Sequence, residues 1–320
     1  MLAVLRIVAV LFVALIALPA GAQNYPNRVV KFIVPFGAGG PADVYARVLA
    51  KYLSEETKQT FVVEDRPGGG SIIGTEVVAK SPPDGYTLLV ISNTQTTNES
   101  LFRHKPYQLM RDFVPVASVN YSDLLMVVHP SVKAKTVAEF IAYAKAHPGE
   151  LNYASSGPGT PYHMAGELFK AMAQVNVVHI PHKASGDARN SVLSGNVQVM
   201  FDAITTMLPL AKAGKVRALG TTGAKRSDLT PDLPTVGETV SGYEATIWLG
   251  VVVPKGTPKE IVTFLNHAIN KVIQKPEVKA LWLKQGAIPM VKTPEEFDAY
   301  LRKDIEKWAN VVKISGAKVQ

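Results

Sequence analysis

The stretch Val34-Pro35-Phe36-Gly37-Ala38-Gly39-Gly40-Pro41-Ala42-Asp43 decides the fold, and a second turn of the same kind, Ala154-Ser155-Ser156-Gly157-Pro158-Gly159-Thr160-Pro161-Tyr162-His163, lies about 120 residues further on. Apolar, β-branched Val29 to Val34 leads into the first turn and Leu151-Asn152-Tyr153 into the second. Ala42 to Leu53 and Met164 to Met172 follow them with helical periodicity. A glycine-rich turn between strand and helix aims unpaired backbone N–H groups and the positive helix end at an anion. Two such turns without a nucleophile motif between them imply two lobes that close on one small anionic ligand.

Composition sets the context for that ligand. Arg6, the apolar run Ile7 to Leu18 and the small-residue site Ala20-Gly21-Ala22 read as a secretory leader over residues 1–22, cleaved after Ala22, so the mature chain is expected in the periplasm. The apolar run is too short to cross a bilayer as a helix. The chain has no cysteine, so neither disulfides nor thiolate metal sites are available to an exported protein of this sequence. Its net charge of +8, one unit of it from Arg6, is dispersed without a basic block, which argues against a nucleic-acid role and favours acidic small molecules. A hydrophobic content of 47% excludes a disordered chain, and the length suits two domains.

Short apolar runs alternate with helical stretches at Val29–Val34, Phe61–Val63, Thr87–Ile91, Leu124–Val128, Val177–Ile180, Val197–Phe201, Val216–Gly220 and Leu249–Val253. That alternation predicts an α/β fold: two doubly wound lobes, bilobed in the manner of a type II periplasmic binding protein, joined by a two-strand hinge. Long extended segments near residues 120 and 246 place residues 23–120 and 247–320 in lobe 1 and residues 121–246 in lobe 2. Thr257-Pro258-Lys259-Glu260 and Thr293-Pro294-Glu295-Glu296 both spell capping boxes that open helices at Ile261 and Phe297.

With the turns placed, the order of segments resembles the substrate-binding receptors of tripartite tricarboxylate transporters, also called the Bug family. The resemblance rests on Val34 to Asp43, Arg66-Pro67-Gly68-Gly69-Gly70-Ser71-Ile72-Ile73-Gly74, Pro82-Pro83-Asp84-Gly85-Tyr86, Ser155-Ser156-Gly157 with Thr160 and His163, Ile180-Pro181-His182-Lys183, Phe201-Asp202, Leu233-Pro234-Thr235 and Trp248-Leu249-Gly250. It implies a bilobed periplasmic receptor with a cleft for small carboxylates, which it delivers to a membrane permease. The sequence departs from the family's usual residues at His182, Ala184 and Asp65.

Candidate ligand-binding residues follow from the two turns and the strand ends. Phe36, Gly37, Ala38, Gly39 and Gly40 form the first cradle, whose glycines allow close approach of an anion. Ser155, Ser156, Gly159, Thr160 and His163 form the second, with hydroxyls and backbone N–H groups donating to the same carboxylate or, alternatively, Thr160 capping its helix. Asp43 is expected to cap a helix start rather than to face an anion. Ser92, Asn93, Thr94 and Asn98 end one strand and Asp202 ends another, where α/β sheets place ligand groups; a helix-cap role for Asp202 is equally open. Arg103 is either a partner for a second carboxylate or a surface residue. No catalytic residue, metal site or cofactor is expected: no G-x-S-x-G elbow exists, and His179 and His182 lack a third ligand. The expected protein is a monomeric solute receptor whose partners are a small carboxylate and the permease subunits. A receptor for a membrane signalling protein and an exported hydrolase remain as alternatives.

Overall fold

The computed structural model describes residues 25–317, so the leader and its cleavage point lie outside the described residues. Strand β1 (Val30–Val34) pairs in parallel with β2 (Phe61–Asp65) and with β3 (Thr87–Ser92). Both of its faces are covered: Val30, Phe32 and Val34 pack into one core and Ile33 into another. Such double burial explains why the run is apolar on both faces apart from the exposed Lys31. Helices α1 (Pro41–Thr57), α2 (Ile72–Ala79), α3 (Asn93–Leu101) and the short α4 (Leu109–Asp112) complete this part of the chain.

The next strand, β4 (Phe113–Val128), runs for 16 residues and serves both halves of the molecule. Phe113 to Asp123 pair antiparallel with β9 (Thr246–Pro254), whereas Leu124 to Val128 pair with β7 (Val199–Ala203) and β8 (Arg217–Thr221). The second half adds α5 (Val137–Ala146), β5 (Asn152–Ser155), α6 (Pro161–Ala173), β6 (Val178–Pro181), α7 (Ser185–Leu193) and α8 (Ile204–Lys212). The strand order is β2-β1-β3-β9-β4-β7-β5-β6, and β10 (Ala287–Pro289) also pairs with β4. The β1–β2, β1–β3, β5–β6 and β5–β7 pairs are parallel, as crossover helices require; the long connecting strands β4 and β9 pair antiparallel. The result is a bilobed α/β fold with separate cores beneath each half of the sheet.

Three C-terminal helices follow, α9 (Lys259–Ile273), α10 (Pro276–Lys284) and α11 (Pro294–Ser315). The last does not stay in one lobe. Phe297 and Leu301 pack with Trp248 in the Ile33 core on the other face of the first half, while Trp308 and Val311 enter the core of the second half with Phe169 and Tyr243. The Thr293 capping box forms as spelled, with Thr293 Oγ1 accepting from Glu296 N–H and the Glu296 carboxylate accepting from Thr293 N–H. The Thr257 box does not. Its hydroxyl donates to the Pro254 carbonyl at 2.8 Å instead, and Pro258 is the N-cap residue of α9, with no side-chain cap. No helix among the described residues is long and apolar enough to cross a membrane.

Candidate functional site

The first turn feeds the N-terminus of α1, where Gly40 is the cap residue and no side chain caps it. Asp43 closes the turn: its carboxylate accepts from Gly39 N–H at 2.8 Å and pairs with Arg47 at 2.6 Å. Gly39 adopts φ +73°, a conformation that favours glycine, and a Cβ on either Gly37 or Gly39 would meet nothing within 4 Å. Gly40 N–H donates to Gly37 O. The Gly37 and Ala38 N–H groups find no acceptor among the described residues and, with the first turn of α1, are free for an anion. Phe36 is half-buried against the first core.

The second turn is already bonded to itself. Ser155 Oγ accepts from Gly157 N–H and lies 2.6 Å from His179 Nε2. Thr160 Oγ1 donates to Gly157 O and accepts from His163 N–H as the cap of α6. Gly159 N–H donates to His163 Nδ1, which fixes the His163 proton on Nε2. The expected role of the Ser155 and Thr160 hydroxyls as donors to a solute therefore competes with internal bonds, and Ser156 is the hydroxyl of the turn left uncommitted. Burial drives the His163 ring down to about 4 and the His179 ring down to about 3, so both are neutral at pH 7. The Ser155–His179 contact arises because β5 and β6 pair with Tyr153 opposite His179, a register that no local pattern of residues announces.

The polar set at the end of β3 divides in the same way. Ser92 caps α3, and Gln95 completes the box by accepting from Ser92 N–H while donating to Ser71 Oγ. Asn93 binds the Thr246 carbonyl and Trp248 N–H, fixing β9. Thr94 Oγ1 and Asn98 Oδ1 are buried and have no partner. Asn98 donates to Gly70 O at 2.9 Å and lies against the second turn, since a Cβ on Gly159 would come within 3.1 Å of Asn98 Oδ1 and 2.8 Å of Leu101 Cδ2. Asp202 is fully buried, with one oxygen on Arg189 Nε at 2.5 Å and the other accepting from Ala203 N–H at 2.7 Å. Burial pushes its carboxyl upward and Arg189 opposes that push. Neither oxygen is spare, and Arg189 was not singled out from the sequence. Arg103 is exposed.

Between the lobes lies an enclosed cavity of about 10 Å³, lined by Pro41, Tyr45, Asn120, Ser122, Ala203, Ile247 and Leu249. It joins the start of α1 to the crossing strands and to the end of β7, and it has room for roughly one water molecule. Tyr45, Asn120 and Ser122 were not anticipated, although polar residues inside the extended run Phe113 to Val128 were the available signal. Among the described residues no group of three His, Cys, Asp or Glu side chains is placed to hold a metal ion.

Two α/β lobes bridged by crossing strands, with an uncapped helix N-terminus at the cavity between them, define a solute-binding protein of the bilobed kind. A profile of the tripartite tricarboxylate transporter family receptors matches residues 45–317, and the chain belongs to that family as a solute receptor. Protein BugT of Bordetella pertussis is 37% identical over 310 residues, covering 95% of this chain and 94% of BugT. Among solved structures, R. palustris Rpa4515 with adipate is 35% identical with a TM-score of 0.87, covering 92% of this chain and 100% of that one. MatC from Rhodopseudomonas palustris with bound malate is 28% identical with a TM-score of 0.82, covering 90% and 100% of the two chains.

Proposed function

We propose that this receptor traps a small carboxylate between its lobes in the periplasm and hands it, as a monomer, to the permease subunits of a tripartite transporter. Export by the leader, with cleavage after Ala22, belongs to the same reading. So does the division into residues 23–120 with 247–320 and residues 121–246, with the end of α11 reaching over into the second core. The observation that carries the reading is the unpaired donor set of the first turn: the Gly37 and Ala38 N–H groups and the uncapped start of α1 beside the hinge cavity. Neutral N–H dipoles at a helix start bind a carboxylate without a cation. Adipate and malate in two related structures support the ligand class.

In this reading Phe36 to Gly40 hold the carboxylate, Ser156 and the Ser155-to-His163 turn approach from the other lobe, and Thr94 and Asn98 meet the solute's far end. Ser92, Asn93 and Asp202 support the site from behind, because their polar atoms are already committed. The protein is read as non-enzymatic. The Ser155–His179 contact has the look of a nucleophile and its base, but Ser155 is fully buried, the ring is held neutral far below pH 7, and the nearby Glu167 binds Tyr153 and Lys170. A thermal-shift screen over aliphatic, aromatic and amino-acid carboxylates, followed by calorimetry, tests the proposal. Stabilisation by at least one carboxylate without its turnover is the expected result; turnover, or no stabilisation by any carboxylate, overturns it.

A further inference from the structure

The hinge cavity contains one polar group that the fold leaves unanswered. Asn120 is 2% exposed, and its Nδ2 has no hydrogen-bond partner. The other polar side chains in the wall are committed: Tyr45 Oη donates to the Gln285 carbonyl and Ser122 Oγ to the Asp123 carbonyl. Asn120 sits where the β4–β9 register shifts, between Ser118 and Asn120, and β10 flanks it on the other side through Pro289. A bulge re-aims a side chain that regular pleating would place elsewhere. Burying an amide donor without an acceptor is unfavourable, so at a bulge facing a cavity this N–H is left to a water or to a solute oxygen that reaches the same space.

The geometry points to Asn120 as the residue that reads the solute: its amide N–H donates to an oxygen of the bound molecule other than the carboxylate seated on the first turn. Pro41 and Tyr45 follow that turn along α1 and share the cavity wall with Asn120, so the start of the helix that receives the carboxylate and the amide open on one space. The class selected is a carboxylate bearing a second oxygen acceptor, such as a dicarboxylate or a hydroxy or oxo acid, over a plain aliphatic monocarboxylate. Because Asn120 belongs to a strand that crosses between the lobes, the same bond ties solute identity to the hinge. This inference rests on the carboxylate-receptor reading above.

Calorimetric titration of the wild type, Asn120→Leu and Asn120→Val with adipate, malate and hexanoate tests it. The wild type is expected to bind adipate or malate at least about tenfold more tightly than hexanoate, the factor appropriate to one hydrogen bond to an anionic or strongly polar oxygen. Both variants should lose that preference by weakening for the oxygen-bearing solute while holding hexanoate unchanged. Two apolar replacements of different size separate the lost donor from altered packing, and unchanged thermal unfolding of the free protein certifies each fold. A variant that keeps the wild-type ranking overturns the role of Asn120 and leaves the receptor reading standing. A wild type that binds none of the three and no other carboxylate overturns both.

Discussion

The indole N–H of Trp248 donates to the carboxylate of Asp304 at 3.1 Å, joining the crossing strand β9 to the helix that reaches both cores. Asp304 also accepts from Thr96 Oγ1 on α3 at 2.6 Å and from Trp308 Nε1 on its own helix at 3.2 Å. One buried carboxylate thus ties the helix behind the cleft, the hinge and the C-terminal helix together. Three donors satisfy it without a paired cation.

That arrangement makes stability depend on pH. Burial pushes the Asp304 carboxyl up to about 6, against the donors and Lys307, which pull it down. Between the usual carboxylate range and about 6 the folded protein therefore binds more protons than the unfolded chain. The protonated form favours the fold, and that contribution is lost as pH rises through 6. Chemical unfolding at pH 4.5 and pH 7.5 should show the wild type losing about 2 kcal/mol relative to Asp304→Asn, whose neutral amide does not titrate. A wild-type-to-variant difference that is the same at both pH values contradicts the assignment.

Thr160 separates helix capping from solute contact. Its hydroxyl holds Gly157 O and His163 N–H, so Thr160→Val should lower stability by about 1 kcal/mol, the usual cost of a lost cap, whereas Thr160→Ser should be close to neutral. Denaturant midpoints measure this directly. Solute affinity of Thr160→Val should stay near that of the wild type; a large loss there that Thr160→Ser restores would return the hydroxyl to the ligand.

The small volume of the hinge cavity predicts an opening motion. A carboxylate of four or more carbons does not fit where roughly one water does, so solute entry requires the lobes to part. Small-angle scattering of the free protein should give a radius of gyration above that calculated for this closed arrangement, and saturating solute should bring it down. A free-state value equal to the calculated one, unmoved by a solute that binds, would place the site outside the cleft.

Much of this fold was legible in the chain because burial on both faces writes itself as short, mostly apolar runs, as in Val30 to Val34 and Thr87 to Ser92. Short elements were not: Ala287–Pro289 and Leu109–Asp112 carry too few residues for any period to register. Identical spelling also gave different outcomes. Thr293 forms its capping box, but Thr257 sits within reach of the Pro254 carbonyl and spends its hydroxyl there. The glycine turns pointed to the candidate site, yet which of their donors stay unpaired depends on Asp43 and His163, and Asn120 became visible only when the strand register placed it at a bulge.

Gly159 offers the sharpest test of whether the lobes close by direct contact. Its φ of +77° disfavours any L residue, and an alanine Cβ there would lie 2.8 Å from Leu101 Cδ2 and 3.1 Å from Asn98 Oδ1. Both neighbours belong to α3, which follows β3 in the first half of the sheet, while Gly159 follows β5 in the second. Asn98 is held by its bond to Gly70 O and cannot retreat freely. Gly159→Ala should therefore cost roughly 1 kcal/mol of stability through backbone strain and, in addition, weaken solute binding by holding the lobes apart at this contact. The two effects separate in a double-mutant cycle with Leu101→Ala, which removes the obstructing methyl but leaves the backbone strain untouched. Calorimetry should show the affinity of the double variant recovering toward that of Leu101→Ala alone, while its denaturant midpoint does not recover. An affinity loss that persists in full after Leu101 is truncated would mean that the turn itself, and not the contact across the cleft, carries the effect.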